Sequence, residues 1–165
     1  MGCGGSKSGD AMSPGEKTQV VFVLGGPGSG KGTQCDNIVR DFKYTHLSTG
    51  DLLRAEVKKG GELGDKLNAV MSEGKLVSSE MLVTLLKNAM KGQEKCLIDG
   101  FPRNQENIDE WDKQIGDSVD LKFVLFMDVD LDTMKARLLK RGEDSGRADD
   151  NEETIKKRFD TFTNE

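Results

Sequence analysis

The stretch QVVFVLGGPGSGKGTQ, residues 19–34, restricts this chain more than any other. Gln19 to Leu24 is a short apolar, β-branched run with no polar alternation, the pattern of a buried strand. Glycines close the run. From Gly30 to Asp41 the pattern changes, with Ile38 and Val39 on one helical face. Such a strand–loop–helix has a chemical consequence. Glycines let successive backbone N–H groups turn to one point without Cβ clashes, and the helix start adds partial positive charge. Gly25 to Lys31 reads G-x-x-x-x-G-K, which in this context marks a phosphate-binding loop. One position departs from the common form. Gly32 stands where a Ser or Thr hydroxyl helps to hold Mg2+, and Thr33 follows one step late.

The rest of the chain continues the alternation. Thr45 to Ser48 reads as a short strand, and STGDLLRAEV as a capped helix start. Apolar residues recur at helical spacing from Leu63 to Met71 and from Met81 to Met90. Lys95 to Asp99 and Leu121 to Asp128 read as two more buried strands, and Asp130–Lys140 and Asn151–Phe162 as amphipathic helices. Strands alternating with helices predict an α/β fold, a three-layer α/β/α domain with a parallel sheet covered on both faces. Ligands in such sheets bind beyond the carboxyl ends of the strands. The glycine loop, Asp99 and the segment after Asp128 are therefore expected at one edge.

Length and composition narrow the function. One domain is expected from 165 residues. The net charge of −5 argues against a nucleic-acid partner. No apolar run approaches the roughly 20 residues of a membrane-spanning helix. Cys3, Cys35 and Cys96 are odd in number and lack C-x-x-C spacing, so free thiols and no structural zinc site are expected. His46 has no metal-ligand partner nearby in the sequence and reads as a partly buried ring at a strand end. Of seven arginines, four fall between Arg137 and Arg158. Guanidinium forks suit phosphate oxygens, so this bias fits a local anion site as well as solvated helix faces.

Four blocks carry a family resemblance. GGPGSGKGTQ resembles the loop of the nucleoside monophosphate kinases of the adenylate kinase family, where G-K-G-T is the ordinary form. YTHLSTGDLLR (44–54), LIDGFPRNQEN (97–107) and RLLKRGEDSGRADDNEETIKKRF (137–159) resemble the family's later blocks, in its order. The resemblance runs from Val20 to about Phe162. It implies a P-loop α/β/α fold that transfers the γ-phosphoryl of ATP-Mg2+ to a nucleoside monophosphate. Residues 18–165 would form the kinase domain, with a mobile acceptor-binding segment at 48–77 and a short lid at 140–150 lacking the four-cysteine zinc cluster of long-lid members. Gly28, Ser29, Gly30, Lys31, Gly32 and Thr33 would cradle the donor phosphates, with Lys31 on the transferred group. Arg54 and Arg103 match arginines that grip the acceptor phosphate. Arg137, Arg141, Arg147 and Arg158 match those that close on the donor or on the moving group, Arg147 and Arg158 reaching the acceptor too. Asp99 matches an aspartate near the metal; Mg2+ is held by phosphates and water, with Thr33 and Asp99 nearby and no direct protein ligand. Thr49, Lys75, Leu76, Val77, Gly100, Phe101, Pro102 and Asn107 match the acceptor site.

The acceptor base is read from two positions. Asn107 resembles the UMP/CMP kinase branch, and a rotating carboxamide suits both cytosine and uracil. Thr49 and the lid sequence RADDNEETIKKR resemble the adenylate kinase branch. A base-contacting polar group discriminates more strongly than a lining methyl, so UMP/CMP is the expected acceptor and AMP the alternative. Family members continue with a further strand and helix where this chain stops at Glu165, so an inactive nucleotide-binding protein is the reading from another class. A GTPase switch is disfavoured by the absence of N-K-x-D. Residues 1–17 read as a flexible tail. MGCGGS matches an acylation signal, with Gly2 for myristate and Cys3 for palmitate; the plainer reading is a tail that happens to begin Met-Gly. A cytoplasmic monomer, membrane-anchored if acylated, with nucleotides as its only expected ligands, completes the reading.

Overall fold

The computed structural model describes residues 17–145, 147 and 149–164. Gly2 and Cys3 lie outside the described residues. The elements run β1 (Thr18–Gly25), α1 (Lys31–Phe42), β2 (Thr45–Ser48), α2 (Thr49–Lys59), α3 (Gly61–Ser72), α4 (Ser79–Met90), β3 (Lys95–Asp99), α5 (Gln105–Gln114), β4 (Val119–Met127), α6 (Leu131–Ser145) and α7 (Glu152–Asn164). The sheet is parallel throughout, in the order β2-β3-β1-β4. With β3 on one side of β1 and β4 on the other, the loop leaving β1 opens into the crevice beyond the carboxyl ends.

Alternation along β1 splits the core between two faces. Val20 and Phe22 join the larger cluster with Leu86, Ile98 and Phe101, while Val21 and Val23 meet Cys35 and Leu97 on the other face. Phe22, Phe101 and Trp111 form a trio with ring centroids 5.1–5.8 Å apart, in the tilted and edge-on geometries that aromatic quadrupoles favour. The helix expected at STGD begins as read: Ser48 caps α2, its side chain accepting from the Asp51 N–H at 3.3 Å.

Two expectations change. β4 was expected to be buried, but it is an edge strand among the described residues, and Leu121, Phe123, Val124 and Phe126 are each about half exposed. An apolar run shows only that a strand can be buried; neighbouring elements decide whether it is. Helix α5 was not expected at all. Ile108 and Trp111 are its only large apolar residues, too few for a helical stripe, and its clearest start signal is the Asn104 side chain accepting from the Asn107 N–H at 3.0 Å.

Candidate active site

The glycines of the loop do two kinds of work. On its back, α6 lies against the chain: a Cβ at Gly28, where φ is +81°, would fall 2.6 Å from the Met134 carbonyl oxygen and 2.9 Å from Leu138 Cγ. On its front, a Cβ at Gly32 would meet nothing within 4 Å, and one at Gly30 only an Arg137 nitrogen at 3.7 Å. The front is thus an open cradle at the N-terminus of α1, a fit for phosphate. Gly28→Ala is expected to cost about 2–4 kcal/mol through backbone strain and overpacking. Gly32→Ala should stay within about 1 kcal/mol of the parent. Denaturant unfolding of both variants checks this, and equal losses would contradict the division of roles.

Lys31 curls back over the loop, its Nζ donating to the carbonyl oxygens of Gly25 at 2.8 Å and Gly26 at 2.9 Å. Burial pulls its pKa down to about 8, against the opposing pull of the Asp99 carboxylate. Thr33 is exposed at the mouth, whereas Ser29 is buried behind the loop.

Next to the loop lies a cavity of about 440 Å³. Lys31 and six arginines (54, 103, 137, 141, 147 and 158) line it, against the carboxylates of Asp51, Asp99 and Asp149. An acidic protein has therefore built a cationic hollow, which selects for polyanions. Most of the arginines are held by carboxylates. Asp51 takes Arg54 at 2.6 Å and lies 3.8 Å from Arg147. Asp150, with a fully buried side chain, takes the Arg141 fork at 2.6 and 2.7 Å and Arg158 at 3.2 Å. Arg158 also meets Asp149 at 2.7 Å.

Arg103 and Arg137 differ. Arg137 donates to the Ser29 carbonyl at 3.3 Å, and Arg103 Nε to the Gly100 carbonyl at 2.8 Å; neither has a carboxylate partner among the described residues. Arg103 stands deep between protein walls yet open to the solvent that fills the hollow. That confinement first, and then the like charge of Arg158, lower its pKa from the usual arginine range, with Asp99 opposing. Its terminal nitrogens remain available for an anion.

The acceptor half is braced from below. Asn107 is 2% exposed, its Oδ1 accepting from the Arg103 backbone N–H at 3.1 Å and its Nδ2 donating to Ser79 Oγ at 2.8 Å. A backbone N–H only donates, so it fixes which end of the amide is oxygen. The carboxamide does not rotate freely, contrary to the sequence reading. Thr49 is wholly buried, and its hydroxyl donates to the backbone oxygens of Asp99 and Gly100 at 3.0 and 3.2 Å.

Of the residues matched from the sequence, all the glycine-loop, arginine and acceptor positions line the cavity except Ser29, Phe101 and Pro102. Phe101 is fully buried in the aromatic trio. Pro102 follows a cis peptide bond and faces an adjoining hollow with Arg103 and Arg158. The segment after Asp128 reaches this edge as expected, α6 bringing in Arg137 and Arg141. Sequence reasoning missed Asp51 and Ser79. Asp51 reads as an ordinary first-turn acid, and nothing in the sequence ties Ser79 to Asn107.

His46 is partly buried in β2, as read, but metal-ligating groups do stand near it. Cys35, His46 and Asp99, distant in sequence, gather behind Lys31. His46 Nε2 lies 3.4 Å from Asp99 Oδ2 but is not aligned as a hydrogen bond. The Asp99 carboxylate, and then Cys35, push the imidazole pKa up to about 10 against the cost of burial.

A glycine cradle, an arginine-lined hollow and a strand-end aspartate share one edge of a parallel sheet, and a family model described as adenylate kinase matches residues 23–165. The chain belongs to the adenylate kinase family. It is a nucleoside monophosphate kinase of that family. Its relatives divide between two named activities. It is 50% identical over 151 residues to adenylate kinase isoenzyme 1 of Homo sapiens, covering 89% of this chain and 76% of the relative. It is 53% identical over 154 residues to UMP-CMP kinase 3 of Arabidopsis thaliana, covering 92% of this chain and 74% of the relative. The chicken (Gallus gallus) adenylate kinase isoenzyme 1 is 51% identical over 148 residues, covering 87% and 75%. In this adenylate kinase family member, identity at this level leaves the acceptor base to local chemistry.

Proposed function

We propose that this kinase transfers the γ-phosphoryl group of ATP, bound as its Mg2+ complex, to UMP or CMP. An oxygen of the acceptor phosphate attacks the γ-phosphorus, the bond to the bridging β–γ oxygen breaks, and ADP leaves with the pyrimidine diphosphate. Mg2+ supplies charge neutralisation between the phosphates when bound. The loop N–H groups and Lys31 hold the donor. Arg54 and Arg103 hold the acceptor phosphate. Arg137, Arg141, Arg147 and Arg158 neutralise the moving group. Closure of residues 48–77 and 140–150 excludes water, which would otherwise compete as acceptor.

The observation that carries the choice of base is the fixed carboxamide of Asn107 at the floor of the acceptor half. Its oxygen keeps one lone pair and its nitrogen one hydrogen beyond the bonds to Arg103 and Ser79. The first suits the cytosine amino group and the second uracil O4, with no rotation needed. The hydroxyl of Thr49, which resembles the adenylate branch, is engaged by backbone and so acts as a brace rather than a base reader. AMP remains the second reading because of the relatives named adenylate kinase.

The test is ADP production by the purified protein with ATP-Mg2+ and, separately, UMP, CMP, dCMP and AMP. Faster turnover with UMP or CMP is expected, and Asn107→Gln should shift the pyrimidine-to-AMP rate ratio towards AMP by about tenfold. Faster turnover of the parent with AMP would transfer the assignment to adenylate kinase. An unchanged ratio in the variant would remove Asn107 as the selector. Silence with all four acceptors would leave nucleotide binding alone.

A further inference from the structure

Cys35 comes from the second turn of α1, His46 from β2 and Asp99 from the end of β3. Each offers one metal-ligand atom, and the three atoms lie within 4.8 Å of one another. Tetrahedral ligands on bonds of about 2.0–2.3 Å stand about 3.5 Å apart, so modest side-chain shifts bring the set into range. Cys35 is wholly buried and Asp99 is 9% exposed. Asp99 Oδ1 and His46 Nε2 are buried with no hydrogen-bond partner. Among the described residues no other buried side-chain nitrogen or oxygen lacks a partner, and the pair points to a ligand beside them. His46 and Asp99 also line the cavity, so the cluster is reached from the cleft.

We propose that Cys35, His46 and Asp99 form a three-ligand site for Zn2+ or a similarly soft divalent cation, and that loading it inhibits the kinase. Thiolate, imidazole and carboxylate form a zinc-type donor set; Mg2+ prefers an octahedron of oxygens and does not compete well for sulfur. Binding releases the thiol and imidazolium protons to solvent, involves no electron transfer, and leaves a fourth position for water. Inhibition follows because Asp99 becomes a ligand and a dication sits beside Lys31, whose ammonium feels both Asp99 and Cys35. The inhibitory half rests on the phosphoryl-transfer reading above; binding does not.

Co2+ is the probe. Added to the whole purified chain without nucleotide, it is expected to give a near-ultraviolet thiolate-to-cobalt band that Zn2+ displaces. The band should vanish in Cys35→Ser, and cobalt affinity should fall about tenfold or more in His46→Gln. In the ADP assay with ATP-Mg2+ in excess, Zn2+ should inhibit the parent, and a chelator should restore the rate. The half-inhibiting concentration should rise about tenfold or more in Cys35→Ser, whose zinc-free rate stays at the parent level. Cys35→Ala serves the same purpose if serine disturbs the core. No thiolate band, or a band that survives in both Cys35 variants, would overturn the site. Equal zinc sensitivity of parent and variants would overturn the inhibition. A chain inactive with every acceptor leaves the cobalt readout intact, so the two readings fail separately.

Discussion

Replacing Arg103 by methionine is expected to lower kcat/KM for the acceptor on the order of 10²–10³-fold, or about 3–4 kcal/mol of transition-state stabilisation. The size follows from its surroundings. Arg103 is tied to the fold through Nε and the Gly100 carbonyl, without a carboxylate partner among the described residues. Its fork therefore enters the reaction already oriented and still carrying uncompensated charge. Phosphoryl transfer relies on such pre-placed charge more than on acid–base chemistry. Stability should fall by only about 1 kcal/mol, through loss of the hydrogen bond to the Gly100 carbonyl. Methionine keeps much of the side-chain length and removes the charge. Arg40→Met is the control: Arg40 is exposed, pairs with neighbouring Asp41, and does not line the cavity. Steady-state rates and denaturant unfolding of both variants decide the matter. Comparable losses of rate in the two would show a diffuse charge effect instead of a placed fork.

Asp150→Ala is expected to cost about 2–3 kcal/mol of stability, mostly by stranding charge. Its side chain is fully buried and accepts the Arg141 fork and one Arg158 nitrogen. Both arginines keep some contact with water, which holds the loss below that of a fully buried pair. The backbone of α6 already packs closely on this residue: a Cβ at Gly142 would fall 2.6 Å from the Asp150 backbone carbonyl oxygen. The acid response has a definite sign. Burial, the largest influence, raises the Asp150 pKa, but the hydrogen bonds and charge of Arg141, then Arg158, outweigh it and hold the carboxyl below the usual range. A group depressed in the folded state contributes stability above its unfolded pKa and loses it as pH falls through the folded one. The parent and Asp150→Ala should therefore differ most near neutrality and converge in acid. Denaturant midpoints across that range test this, and a gap that stays constant or widens in acid would refute the ion-pair account. Activity should fall as well, since Arg141 and Arg158 lose the carboxylate that aims them into the cavity.

Different parts of the molecule were legible to different degrees. β1 and the loop could be read because their information is local: an apolar run, glycines and a lysine at set spacing dictate backbone shape without help from distant residues. The strand-end aspartate and arginine positions were found because the motifs are contiguous in sequence. Helix α5 was not read because its stability comes from docking Trp111 and the amide of Asn107, not from a stripe of its own. β4 was read as buried because chain pattern records apolarity but not which neighbours arrive to cover it.

By itself, the sequence determined the alternation of strands and helices, the phosphate-binding loop and the set of arginines available to an anion. Only the tertiary structure decided how those groups are poised. It left the Arg103 fork without a carboxylate among the described residues, locked Asn107 between Ser79 and the Arg103 backbone, moved Phe101 into the core and brought Cys35, His46 and Asp99 together. The physical reason is range. Backbone preference and hydrophobic period act over a few residues, whereas pairing, burial and charge at a site depend on atoms that approach only after the sheet has assembled and the helices have docked on it.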